Sequence, residues 1–110
     1  MIDFGAFQAV EMRVGTIVGI EEFPQARKPA YKLIIDFGEA RGTKRSSAQI
    51  VDLYSPENLL GVQVIGVVNF PPKRIAGFQS EVLVLGAADE AGRVVLLRPE
   101  RALPNGSRVY

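Results

Sequence analysis

Asn69-Phe-Pro-Pro-Lys-Arg-Ile-Ala-Gly-Phe-Gln-Ser80 places Phe70, Ile75 and Phe78 beside Lys73 and Arg74. Apolar contact area and positive charge together are the chemistry of binding, and loops carried on a rigid sheet are where such residues act. Lysine would hold an anion as a point charge and arginine as a bidentate fork. Left without a ligand, the two cations would simply keep the segment solvated. The three large side chains would stack on bases or anchor an apolar stretch of polypeptide, with one or two of them plugging the end of the core instead. Asn69 and Ser80 would hydrogen-bond a ligand or tie the two ends of the loop together. Gly77 supplies backbone freedom that a side chain would remove.

Two further clusters have suitable chemistry. Ser46, Ser47 and Gln49 form a polar stretch in which strand alternation sets Ser47 and Gln49 on one face and Ser46 on the other. Arg27, Lys28 and Tyr31 follow the first apolar segment, where Tyr31 would belong either to the site or to the core. Bond-making chemistry finds little material. The chain has no Cys and no His, which removes disulfides, thiolate or imidazole metal sites and imidazole acid–base catalysis. Ser46 and Ser47 lie near Lys44, but alternation separates them, and no phosphate loop of the G-x-x-x-x-G-K-S/T type occurs. A binding protein with neither enzymatic activity nor cofactor is expected.

The elements that must position these residues are mostly strands. Residues 13–20 alternate Val14, Thr16, Val18 and Ile20 against Gly15, Ile17 and Gly19. That is a period of two, rich in β-branched residues, with glycines that allow curvature or close approach. Residues 31–37 repeat the period with Tyr31, Leu33, Ile35 and Phe37 on one face. Residues 41–50 form a more polar strand after a turn at 38–42. Strands at 62–68, 81–85 and 93–97 complete the set, the last two as a hairpin with a loop at 86–92. Ser55-Pro-Glu-Asn-Leu-Leu-Gly61 reads as a short capped helix, and residues 3–12 as a second helical segment. Strands with one short helix between the third and fourth are the order of an all-β OB-fold, a small Greek-key β-barrel.

At 110 residues and 47% hydrophobic content, one domain spanning 1–110 is expected. No basic-then-apolar leader opens the chain and no apolar run would span a bilayer, so a cytoplasmic protein without membrane insertion is expected. Net charge is +1, yet residues 27–74 hold eight cations against four carboxylates. That local excess would suit either one basic face for nucleic acid or a scatter of solvated charge. Apolar residues on both faces of 62–68 and 81–85 suggest a subunit interface.

Arg27-Lys-Pro-Ala-Tyr-Lys-Leu33, Ser46-Ser-Ala-Gln-Ile50, the run from Asn69 to Gly86 and Pro104-Asn-Gly-Ser-Arg-Val109 closely resemble the CsaA family of bacterial secretion chaperones. That family is similar to the tRNA-binding OB-fold domains of some aminoacyl-tRNA synthetases and to free-standing tRNA-binding proteins, through the shared frame Asn69, Lys73, Gly77 and Ser80. The synthetase-appended domains follow the serine with Gln-Ala-Met, where this chain reads Glu81-Val82-Leu83, a departure toward the CsaA branch. The resemblance implies an OB-fold homodimer that binds unfolded or export-bound polypeptides, with tRNA as the alternative ligand. The residues expected at such a site are Arg27, Lys28, Ser47, Gln49, Asn69, Phe70, Lys73, Arg74, Ile75, Phe78 and Ser80.

Overall fold

A computed structural model describes residues 1–110. In chain order the elements are α1 (Phe4–Ala9), β1 (Met12–Glu22), β2 (Tyr31–Asp36), β3 (Thr43–Ala48), α2 (Pro56–Leu59), β4 (Gln63–Val67), β5 (Lys73–Ile75), β6 (Phe78–Ser80), β7 (Leu83–Val84), β8 (Gly86–Ala88) and β9 (Val94–Leu96). Five strands pair antiparallel in the order β3-β2-β1-β4-β7. The long β1 serves two partners: Met12 to Thr16 pair with β4, and Thr16 to Glu22 pair with β2. This sheet coils into a nearly closed OB-fold barrel, with the expected short helix between its third and fourth strands.

Strict alternation along β1 fails at one place, for a physical reason. The register with β2 slips between Ile17 and Gly19, leaving Val18 as a bulge that points to solvent. Gly15 and Ile17 face Ile35 and Phe37 before the bulge, and Ile20 joins the core after it. Gly15 has a specific job here, because a Cβ at that position would lie 2.6 Å from the Ile35 Cγ2 atom and 2.8 Å from the Phe37 ring. The glycine lets the barrel close tightly around Phe37. Tyr31, Leu33, Ile35 and Phe37 are buried on one face as their period predicts. The Tyr31 hydroxyl donates to Tyr54 C=O at 2.8 Å, which places Tyr31 in the core.

The chain from Asn69 to Ser80 is not an open loop. Pro71 and Pro72 carry it outward, and β5 and β6 then form a two-stranded hairpin with Ile75 opposite Phe78. Its two-residue turn sets Ala76 at φ 47° and Gly77 at φ 80°, the paired positive values of a type I′ turn. The expected hairpin between 81–85 and 93–97 is also replaced. β7 pairs with β4, and β9 pairs with β8, so Gly86 to Ala88 are strand where a loop was expected. The actual turn is tighter, with the Asp89 carboxylate accepting from the N–H groups of Ala91 and Arg93. Beyond the barrel, residues 105–109 lie along the free edge at the start of β1. Val14 N–H donates to Ser107 C=O at 2.9 Å and Gly106 N–H to Val14 C=O at 2.7 Å.

Candidate binding grooves along the third strand

The site is built on β3. Its inward side chains, Ser46 and Ala48, are buried, while Arg45, Ser47 and Gln49 turn outward, as alternation requires. Residues 80–82 lie along the edge of β3 away from β2 and close the barrel there. Glu81 N–H donates to Arg45 C=O at 2.8 Å, and Arg45 N–H donates to the Glu81 carboxylate at 2.8 Å. Ser47 N–H donates to Ser80 Oγ at 3.0 Å, and the buried Ser46 hydroxyl donates to Val82 C=O at 2.8 Å. Ser80 therefore joins the end of the hairpin to β3. The Glu81 carboxylate caps a strand edge and also lines an adjacent groove.

Two grooves flank this strand. One, of about 500 Å³, runs between Ser47 and Gln49 on one wall and Phe70, Lys73, Ile75 and Leu83 on the other. The second, of about 610 Å³, is bounded by Arg27, Lys28, Ser47, Gln49, Lys73 and Arg74. Ser47, Gln49, Lys73 and Ile75 line both, so the two are one continuous surface. Nine of the eleven residues expected at a site meet there, drawn from the segment after β1, from β3 and from the hairpin. Phe70 is 52% exposed and Leu83 51%, so their wall of the first groove offers bare apolar surface. None of the chain's four ion pairs uses Arg27, Lys28, Lys73 or Arg74. The second groove has no carboxylate in its wall, so these four charges act outward.

The remaining two residues hold the scaffold. The Phe78 ring packs edge-on against the buried Phe23 at 5.5 Å between centroids. The Lys32 ammonium lies 5.3 Å from the Phe78 centroid and 4.7 Å from that of Phe23, and the Arg45 guanidinium lies 5.4 Å from Phe78. This cation–aromatic stack pins the hairpin to the outer face of β2 and β3. Asn69 accepts from Glu11 N–H at 3.0 Å and donates to Ala9 C=O at 2.8 Å, fastening the groove rim to the end of α1. Sequence reasoning missed Phe23, Pro71 and Leu83. Phe23 is an isolated aromatic before a proline, and only the fold brings it under Phe78. Leu83 was visible as an outward position on a strand but had no partner to suggest a groove.

A separate charged cluster sits at the other end of β3. The Glu11 carboxylate accepts from Arg41 at 2.6 Å and from Arg13 at 3.0 Å. The Arg41 contact, followed by the Arg13 contact, holds its pKa below the usual carboxylate range.

The family model described as "Putative tRNA binding domain" matches residues 12–108, which takes in the barrel, both grooves and the closing segment. The chain belongs to this tRNA-binding domain family. Among its relatives, a methionine–tRNA ligase of Methanothrix thermoacetophila is 40% identical over 106 residues, covering 96% of this chain and 15% of the enzyme. The chain thus spans about a seventh of the length of that curated relative. Two solved structures match along the whole chain. Chaperone CsaA from Bacillus anthracis is 56% identical with TM-score 0.93, covering 100% of this chain and 99% of that one. CsaA chaperone protein from Picrophilus torridus is 48% identical with TM-score 0.94, covering 100% of both. The tRNA-binding family and the CsaA chaperones therefore share the scaffold described here.

Proposed function

We propose that this chain is a CsaA-like chaperone that captures unfolded or export-bound polypeptide in the grooves along β3, acting as a homodimer in the cytoplasm and without catalysis. The observation that carries the reading is the exposed apolar surface of Phe70 and Leu83 in the first groove, continuous with the unpaired cations of the second. An exposed apolar strip stabilises bound unfolded chain by burial, roughly 25 cal/mol per Å² removed from water. Arg27, Lys28, Ser47, Gln49, Lys73, Arg74, Ile75 and Ser80 line the route, while Asn69 and Phe78 hold its walls in place. Phe70→Ser removes the exposed ring without touching the core. The variant should keep parental stability within about 0.5 kcal/mol and lose most of its suppression of client aggregation. Light scattering of a denatured client at equal protein concentration checks this, and undiminished suppression would sink the reading.

Arg27, Lys28, Lys73 and Arg74 favour tRNA as a second ligand, because four unpaired cations along one groove suit a phosphate backbone. Replacing Lys73 and Arg74 together by Ala should then lower the slope of log affinity against log salt by roughly 2. Anisotropy of labelled bulk tRNA at several salt concentrations measures that slope. An unchanged slope would remove these residues from any RNA site.

A further inference from the structure

The barrel seam closes along only part of β3. Residues 80–82 use the outward-pointing backbone groups of Arg45 and the N–H of Ser47. Alternation sends Ser47 C=O and Gln49 N–H toward the same edge, where no group of the chain bonds them. Past this point β3 and β7 draw apart, leaving an apolar cleft of about 340 Å³ between Gln49 and Ile50 on one side and Leu83, Ala87 and Val94 on the other. An unpaired strand edge beside an apolar cleft is a template for one more strand. Ser47 and Gln49 line both this cleft and the groove where Arg27, Lys28, Lys73 and Arg74 stand without ion pairs.

We propose that an extended polypeptide segment carrying acidic side chains adds as a strand to β3 at Ser47 and Gln49. Its backbone bonds Ser47 C=O and Gln49 N–H, one row of its side chains enters the seam, and its carboxylates meet the four cations. This rests on the polypeptide reading above and deepens it by assigning the mode of capture. Backbone pairing tolerates any apolar side chain, so selectivity falls on extended conformation and charge. Folded proteins blunt or cover most of their strand edges, so the seam favours unfolded chain without needing a sequence motif.

The test uses the full chain and an acetylated, amidated octapeptide of alternating glutamate and valine. A second peptide has the same side chains with every backbone amide N-methylated. The unmodified peptide should bind about tenfold or more tightly than its methylated form, since several backbone hydrogen bonds are lost at once. Amide hydrogen exchange at Gln49, followed by NMR, should slow when the unmodified peptide binds. Equal affinity of the two peptides, or unchanged exchange at Gln49, would overturn strand addition while polypeptide capture stood. If neither peptide binds, strand addition also falls, and client capture in the scattering assay then decides whether the chaperone reading falls with it.

Discussion

Glu11 shows how one side chain can serve two arginines, one a near neighbour and one thirty positions away. It lies just before β1, and its carboxylate draws in Arg13 on the same strand and Arg41 from the turn before β3. Because its folded pKa lies below the unfolded value, the contribution is complete above the ordinary carboxylate range and is lost as pH falls through the lowered value. Glu11→Gln should cost about 0.2–1 kcal/mol at neutral pH, the range of partly exposed ion pairs. The gap between variant and parent should close on acidification below about pH 4. Urea denaturation at pH 7 and pH 3 measures both ends, and an equal gap at the two values would remove Glu11 from the account. At the same scale, Phe70 and Phe78 differ completely despite standing eight positions apart. Phe78 is held by Phe23, Lys32 and Arg45, and Phe70 is half exposed on the groove rim. Their shared residue type made both look like binding groups. Only tertiary contact separates the anchor from the contact surface.

Among the elements, the hairpin of β5 and β6 carries Lys73, Arg74, Ile75 and Ser80 of the site and has a visible weakness. Ala76 holds φ 47°, a left-handed conformation that costs an alanine on the order of 1 kcal/mol. Ala76→Asn supplies the residue type that type I′ turns favour at this position. It should raise stability by about 0.5–1 kcal/mol. Thermal unfolding checks the direction, and a lowered Tm would contradict the turn assignment. This hairpin was hidden in the sequence because Ala-Gly lacks the Asn-Gly signature and the flanking residues alternate only weakly. The regular strands were easier to see. β2 displayed its period openly through Tyr31, Leu33, Ile35 and Phe37, and α2 carried both Ser55 and Pro56 at its start. β8 was obscured because Gly86-Ala-Ala88 has no strand propensity, and its pairing with β9 comes from tertiary position. Residues of the grooves were legible in kind. Their division between ligand-facing and scaffold positions was not, because that division depends on the path of segments dozens of residues apart.

For the whole molecule, surface charge and apolar exposure are distributed unevenly. Val62, Val68 and Val84, which gave β4 and β7 their two-faced apolar character, pack against the chain's own core. Outside the grooves, Leu60, Val95, Leu97 and Leu103 stay open, each more than two-fifths exposed. The proposed homodimer would cover part of this surface. Sedimentation at micromolar concentration should therefore report twice the mass of one chain, and a stable single-chain species would defeat the homodimer. No helix is long and apolar enough to cross a membrane.

The docking of residues 105–109 along β1 has a consequence for how the molecule comes into being. The first long strand to be synthesised receives this partner from a segment more than ninety positions later, as in the Arg13–Arg108 bridge. Contacts of such separation form late, since the intervening chain must first be ordered. Until residues 105–109 emerge from the ribosome, the start of β1 stands with bare amides and carbonyls on that side. During synthesis the nascent chain thus passes through an open-edged state of the kind that the proposed strand addition would receive in others.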